Sequence, residues 1–284
     1  MLVDKPAGMT SHDVVQRVRR VLGTRAAGHT GTLDPFATGL LVVLVGRATR
    51  LARFVEAQSK TYLATARLGI RTDTDDLTGA PLGAAGPGAA GLGQGCSEAQ
   101  VREALAGFAG EQQQRPPSYS AKHVDGERSY RLARRGEAVA PAPVTVTIHR
   151  IDLVAYREPE LMFRAAVSPG TYLRAIARDL GDRLGTGAHL TALRREAIGP
   201  LRVEDAVPLD RLAPSDLLPA REVLRHLPSR ELDEPDRLAV SHGRAVPADP
   251  APAGDVALLH AGELVAVARA EAGWLRPSVV LGTA

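Results

Sequence analysis

The sequence predicts a mixed fold of helices and strands, with a large domain followed by a small β-rich one. Three observations predict it. Val14, Val18, Val21 and Leu22 recur at helical spacing behind a capping signal and stop at Gly23. Other segments are apolar without interruption (Leu40 to Val45) or at alternate positions (Tyr62, Ala64, Ala66, Leu68), the patterns of buried and half-buried strands. The chain has 284 residues, which suggests one large domain plus a small one, and its texture changes past Asp210, where proline and acidic residues become frequent.

The elements follow in order. Thr10 and Asp13 form a capping box ahead of the first helix. A glycine-rich loop leads into the apolar run from Leu40, too short for an amphipathic helix. Leu51, Phe54 and Val55 mark a short helix, residues 61–70 a strand, and 73–79 a polar turn. Residues 80–95 are nearly all Gly, Ala, Leu and Pro and read as a flexible surface insertion. Gly86-Pro87-Gly88-Ala89-Ala90-Gly91 formally matches a dinucleotide fingerprint, but no strand precedes it and no helix with an acidic partner strand follows. Ser97 and Gln100 cap a helix over 97–107 with Val101, Leu105 and Phe108 inward. Residues 116–121, then Asp125-Gly126, read as a strand entering a tight turn. An Arg-rich helix over 129–135 stops at Gly136. Strands are expected over 144–156 and 161–167, and a helix over 171–184 that ends at Gly185. Short strands at Leu258-Leu259, Leu264 to Val267 and Val279 to Leu281, with a turn at Ala261-Gly262, are candidates for a small β-barrel.

Composition narrows the class. The hydrophobic fraction of 44% supports a real core, and no apolar stretch reaches the roughly 18 residues of a membrane span. The start has no basic region followed by an apolar one, so no secretory signal is expected. A single cysteine, Cys96, excludes an internal disulfide and a cysteine-based zinc cluster. A cytoplasmic protein fits. Residues 1–72 carry 11 Lys+Arg against 4 Asp+Glu, a net of +7, whereas residues 210–284 carry 8 against 11, a net of −3. A basic N-terminal third suggests a polyanionic substrate, the plainer alternative being solvated arginines on a helix face.

The same third holds the most informative segment, Gly28-His29-Thr30-Gly31-Thr32-Leu33-Asp34-Pro35-Phe36-Ala37-Thr38-Gly39. One carboxylate, Asp34, lies in a loop built for close backbone approach, at the mouth of a buried strand. The bland alternative is a turn, since Asp-Pro pairs commonly start turns. The segment resembles the catalytic signature of the TruB family of tRNA pseudouridine synthases. Further segments resemble that family in order and spacing: Leu2-Val3-Asp4-Lys5-Pro6-Ala7-Gly8-Met9-Thr10-Ser11, Lys60-Thr61-Tyr62, Arg71-Thr72-Asp73-Thr74-Asp75 with Gly79, Gly170-Thr171-Tyr172-Leu173-Arg174, and Gly187-Ala188-His189-Leu190 with Leu193-Arg194-Arg195.

The resemblance implies an α+β fold: a mixed, largely antiparallel sheet with flanking helices, and a small C-terminal β-rich domain of PUA type. It implies a catalytic domain over 1–212, a linker over 213–232 and the C-terminal domain over 233–284. The implied activity is an isomerase, converting uridine 55 in the T loop of tRNA to pseudouridine. Breaking N1–C1′ and joining C5 to C1′ oxidises nothing and adds no group, so no cofactor and no metal is expected. Asp34 is implied as the essential carboxylate, Arg174 as the cation that keeps it ionised and oriented, and Tyr62 as the aromatic that stacks on the target base. His29 is implied to fill the gap left by the flipped base. Tyr172 and Leu193 are implied as pocket walls. Lys5 joins the substrate-facing set as a structural or backbone-contacting residue. The expected partner is the T arm of tRNA, with no membrane, and the protein acting as a monomer. An RNA-folding module without turnover, or a synthase for another RNA, are the alternatives. The chain departs from the family pattern at His123, where a lysine is usual, in the insertion over 80–95, and in its weakly matched C-terminal segment.

Overall fold

The computed structural model describes residues 1–84, 95–119, 123–124, 127–128, 141–248 and 254–282. In chain order the elements are β1 (Leu2–Lys5), α1 (Ser11–Leu22), β2 (Ala27–His29), β3 (Thr38–Val45), α2 (Ala52–Glu56), β4 (Lys60–Leu68), β5 (Ile70–Thr72), β6 (Pro81–Ala84), α3 (Glu98–Ala106), β7 (Gly110–Gln114), β8 (His123–Val124), β9 (Glu127–Arg128), β10 (Val144–Arg157) and β11 (Glu160–Val167). Then follow α4 (Leu173–Arg183), β12 (Ala188–Ile198), β13 (Leu201–Arg202), β14 (Val207–Pro208), β15 (Ser229–Glu231), α5 (Glu234–Ser241), β16 (Val246–Pro247), β17 (Gly254–His260), β18 (Glu263–Glu271) and β19 (Trp274–Val280). The chain divides into two compact units. The first is Met1–Pro35, Gly39–Gln58 and Ile198–Ala284, and the second is Phe36–Thr38 and Ser59–Ala197.

In the first unit β1 pairs antiparallel with β3 and parallel with β14, and β2 pairs antiparallel with β3. The uninterrupted apolar run of β3 has a simple cause: both of its faces are covered. Leu41 and Val43 pack with Val14, Val15 and Val18 of α1. Leu40, Val42 and Leu44 face the other way, onto Leu51, Phe54, Val55 and the strand residues Leu264, Val267 and Val279. The predicted Thr10–Asp13 capping box is present at the start of α1, and Gly23 closes the helix in the left-handed conformation at φ 63°. The C-terminal part of this unit is a five-stranded sheet in the order β15-β17-β18-β19-β16, with α5 packed on it. All three strands expected there are found, and the β17–β18 hairpin turns at Ala261 (φ 50°) and Gly262 (φ 77°). Arg47, Arg50 and Arg53 fasten its last strand by donating to Leu281 O, Val280 O and Ser278 Oγ.

In the second unit the strand order is β12-β4-β11-β10-β7. The alternation read from the sequence of β4 is real: Tyr62, Ala64, Ala66 and Leu68 are buried. The Ser97–Gln100 capping box heads α3, whose Val101 and Leu105 are buried. One expectation fails. Residues 116–119 are not a strand, because Pro116 and Pro117 lack the N–H a ladder needs. The strand is β7, Gly110–Gln114, a polar segment that pairs with β10 through its backbone and so shows no apolar alternation. Strand β12 was not expected either, since Arg194, Arg195 and Glu196 interrupt its apolar pattern. The expected helix over 129–135 and most of the insertion over 80–95 lie outside the described residues, as do residues 120–122 and 125–126 of the departure around His123.

Candidate active site

Asp34 lies half-buried in the loop between β2 and β3. The opening segment grips this loop on both sides of the carboxylate. Ser11, buried in the first turn of α1, accepts the Leu33 N–H at 2.8 Å and donates to Leu33 O at 3.2 Å. The Gly8 N–H donates to Pro35 O at 2.8 Å. The Lys5 side chain is wholly buried, and its ammonium donates to Pro6 O at 2.9 Å and to Pro35 O at 3.3 Å. A buried ammonium is costly unless its protons find acceptors, and these carbonyls supply them. Of the two roles left open for Lys5, these contacts are with the protein's own backbone.

His29, at the end of β2, accepts the Gly31 N–H on Nδ1 at 3.3 Å. An Nδ1 that accepts an N–H carries no proton itself, which places the proton of a neutral ring on Nε2. Gly31 takes φ 145°, a conformation that a side chain would resist.

The second unit holds the remaining predicted residues. Tyr62 stands on β4 opposite Ala165 of β11 and is 7% exposed. Leu193 is buried on β12. Tyr172 is the N-cap residue of α4, and Arg174 follows in the first helical turn. The Arg174 side chain is 5% exposed. One terminal nitrogen lies 3.4 Å from Asp76 Oδ2 and donates to Thr74 O at 2.9 Å, while the other donates to Tyr119 O at 2.9 Å.

Asp76 is itself held. Its Oδ1 accepts from Thr74 Oγ1 at 2.8 Å, Thr78 N at 2.9 Å and Thr78 Oγ1 at 2.6 Å. The turn over 73–79, read from the sequence as polar punctuation, is therefore the cradle of Arg174. One helical turn on, Arg178 reaches Asp75 at 3.0 Å and Asp179 at 2.8 Å. Burial pushes the Asp75 carboxyl above the ordinary carboxylate range, opposed by the neighbouring Arg178 and Arg174 charges.

Two participants escaped sequence reasoning. Asp76 lies one residue past the quoted motif. Gln114 is 3% exposed at the end of β7, and its amide accepts the Tyr172 N–H at 2.8 Å and donates to Tyr172 O at 3.1 Å. Since Tyr172 has no side-chain cap of its own, Gln114 fixes the start of α4 from outside. A buried glutamine closing a polar strand was the only available signal. Among the described residues no group of three or more His, Cys, Asp or Glu side chains is arranged to hold a metal.

Comparison with known proteins shows the family. The profile of the TruB family pseudouridylate synthase N-terminal domain matches residues 19–173, and that of the tRNA pseudouridylate synthase B C-terminal domain matches residues 174–227. The chain belongs to the TruB family of pseudouridine synthases. Proteins named tRNA pseudouridine synthase B from Gloeobacter violaceus and from Arthrobacter sp. are 46% and 43% identical, covering 99% of this chain in each case and 98% and 95% of theirs. The fold resembles a chain of a Cbf5-Nop10-Gar1 complex at TM-score 0.74 and 25% identity, covering 99% of this chain and 84% of that one. It also resembles a chain of an H/ACA RNP bound to a substrate RNA containing 2′-deoxyuridine, at TM-score 0.75 and 23% identity, covering 99% and 85%. His29, Asp34, Tyr62 and Tyr172 fall within the first TruB match, Arg174 and Leu193 within the second, and Lys5 ahead of both. No helix among the described residues is long and apolar enough to cross a membrane.

Proposed function

We propose that this pseudouridine synthase acts on tRNA, isomerising uridine 55 in the T loop, with Asp34 as the essential carboxylate. The observation that carries the reading is the grip on Leu33 and Pro35. A half-buried carboxylate on a loop whose backbone is pinned at both neighbours is held in one place, which a nucleophile or charge stabiliser needs and an ordinary turn does not. The reaction breaks N1–C1′, turns the uracil and forms C5–C1′. The proton lost from C5 is balanced by one gained at N1, so the product is an isomer and no redox partner enters.

The target base must leave the stack before Asp34 can reach it. Extrusion costs a few kcal/mol. His29, with its flat ring, suits the vacated space. Tyr62 and Leu193 offer the apolar surface for the flipped base. Arg174 supplies a buried positive charge whose direction is set by Asp76, Thr74 O and Tyr119 O, and such a charge favours an ionised carboxylate in a partly dry pocket. Curated relatives that match end to end carry the name tRNA pseudouridine synthase B, which supports tRNA as the substrate.

The test is tritium release from a T-arm stem-loop carrying [5-³H]uridine at the target position. Wild type is expected to release tritium, and Asp34→Asn to bind the RNA but release none. Release by Asp34→Asn would remove Asp34 from its role, and binding without release by wild type would favour an RNA-folding module.

A further inference from the structure

A depression of about 410 Å³ opens at the C-terminal end of α1, lined by Gln16, Arg19, Arg20, Gly23, Thr24 and Arg25. Its three guanidinium groups are not neutralised. Among the described residues no carboxylate pairs with Arg19, Arg20, Arg25 or the adjacent Arg17. Elsewhere the chain pairs many of its arginines, as at Arg71–Asp182, Arg102–Glu98, Arg164–Glu196 and Arg178–Asp75. Arg19 donates one terminal nitrogen to Ala27 O at 2.9 Å, while its Nε is buried with no hydrogen-bond partner. Arg20 reaches only Gln16 O, at 3.4 Å.

Basic residues in the last turn of a helix complement its dipole, which accounts for Arg19 and Arg20 as helix residues. It does not account for Arg25, which lies beyond the helix and has no side-chain partner among the described residues. Converging guanidiniums on a concave surface without a counter-charge fit an oxyanion, and their planar forks fit phosphate.

The position selects the source of that phosphate. Arg25 lies two residues before the first residue of β2, Ala27, and His29 ends the strand. Four steps along the chain join them, a reach of at most about 14 Å. The depression and the signature loop are thus joined by a short stretch of chain.

We propose that this depression is a second anchoring point for the RNA, gripping one or two backbone phosphates outside the pocket that receives the target uridine. It rests on the reading of the chain as an RNA-modifying enzyme. Such contacts are read through salt dependence, each lost contact lowering the slope of log K against log salt by about 1.

The experiment measures binding of a full tRNA transcript and of a T-arm stem-loop across a salt series, in an Asp34→Asn background so that no turnover intervenes. Arg20→Gln/Arg25→Gln spares Arg19, which also fastens Ala27. Expected is a three- to tenfold loss of affinity near physiological salt and a slope lower by about 2. Loss on both RNAs assigns the phosphates to the T arm, and loss on tRNA alone assigns them outside it. Unchanged affinity and slope on both overturns the inference, as does an equal loss in Arg102→Gln/Arg150→Gln, which removes two exposed charges elsewhere. If the parent binds neither RNA, the proposed function falls too. If it binds both and only the double variant is silent, this inference falls alone.

Discussion

At the scale of single residues, the site holds side chains that fix backbone beside those proposed to meet the substrate. Ser11 serves Leu33 twice through one hydroxyl. Ser11→Ala leaves a buried N–H and C=O without a partner, so a loss of about 1–3 kcal/mol is expected in urea unfolding. Because the loop then loses one of its fastenings, kcat is expected to fall by more than KM rises. Gln114→Met keeps the volume but removes both hydrogen bonds to Tyr172. We expect a drop in kcat of roughly tenfold with RNA affinity retained, since a displacement of α4 by a fraction of an ångström misplaces Arg174. An unchanged kcat in single-turnover assays would limit Gln114 to a packing role.

At the scale of elements, α4 shows how close approach overrides propensity. Gly181 lies inside the helix, where alanine would be favoured by about 1 kcal/mol. A Cβ built there would stand 2.2 Å from Ala188 N and 2.3 Å from Gly187 C, both backbone atoms that cannot swing aside. Gly181→Ala is therefore expected to lower the melting temperature by several degrees, in spite of its better propensity, because the start of β12 must move. Elements with a capping box or strict alternation were legible in the sequence: α1 from Thr10 and Asp13, α3 from Ser97 and Gln100, β4 from Tyr62 to Leu68. β7 and β12 were not. Backbone pairing carries no side-chain signature in Gly-Glu-Gln-Gln-Gln, and the charged triplet at 194–196 masks a strand whose flanking residues are buried. Within the site, Asp34 and Arg174 stood out through their motifs. Asp76 and Gln114 did not, because their work is to orient other groups and only the folded geometry shows which groups those are.

At the scale of the whole molecule, pH and charge distribution give the testable properties. Burial lowers the affinity of the half-buried His226 for a proton, and its Nδ1 is buried without a hydrogen-bond partner among the described residues. Its folded value lies below the ordinary 6.5, so on acidification the unfolded chain takes up the proton first. The contribution to stability is full above about pH 6.5 and is lost as pH falls below it. Thermal melts at pH 7.5 and 5.5 are expected to show a smaller acid loss in His226→Gln than in wild type, and an equal loss would assign the pH dependence to other groups. The charge asymmetry read from the sequence, +7 over residues 1–72 against −3 over residues 210–284, puts the unpaired arginines of α1 in the same third as Asp34.

The fastening of the Asp34 loop also bears on how the protein is made. Lys5 to Pro35 spans 30 residues and Ser11 to Leu33 spans 22. Every bond described between the opening segment and this loop thus closes within one short stretch of chain, made before Tyr62 and Arg174. Closing such short stretches costs little chain entropy, whereas the strands that carry Tyr62 and follow Arg174 are synthesised later. The loop that carries Asp34 can therefore be fastened before the other predicted site residues, Tyr62 and Arg174, have been made.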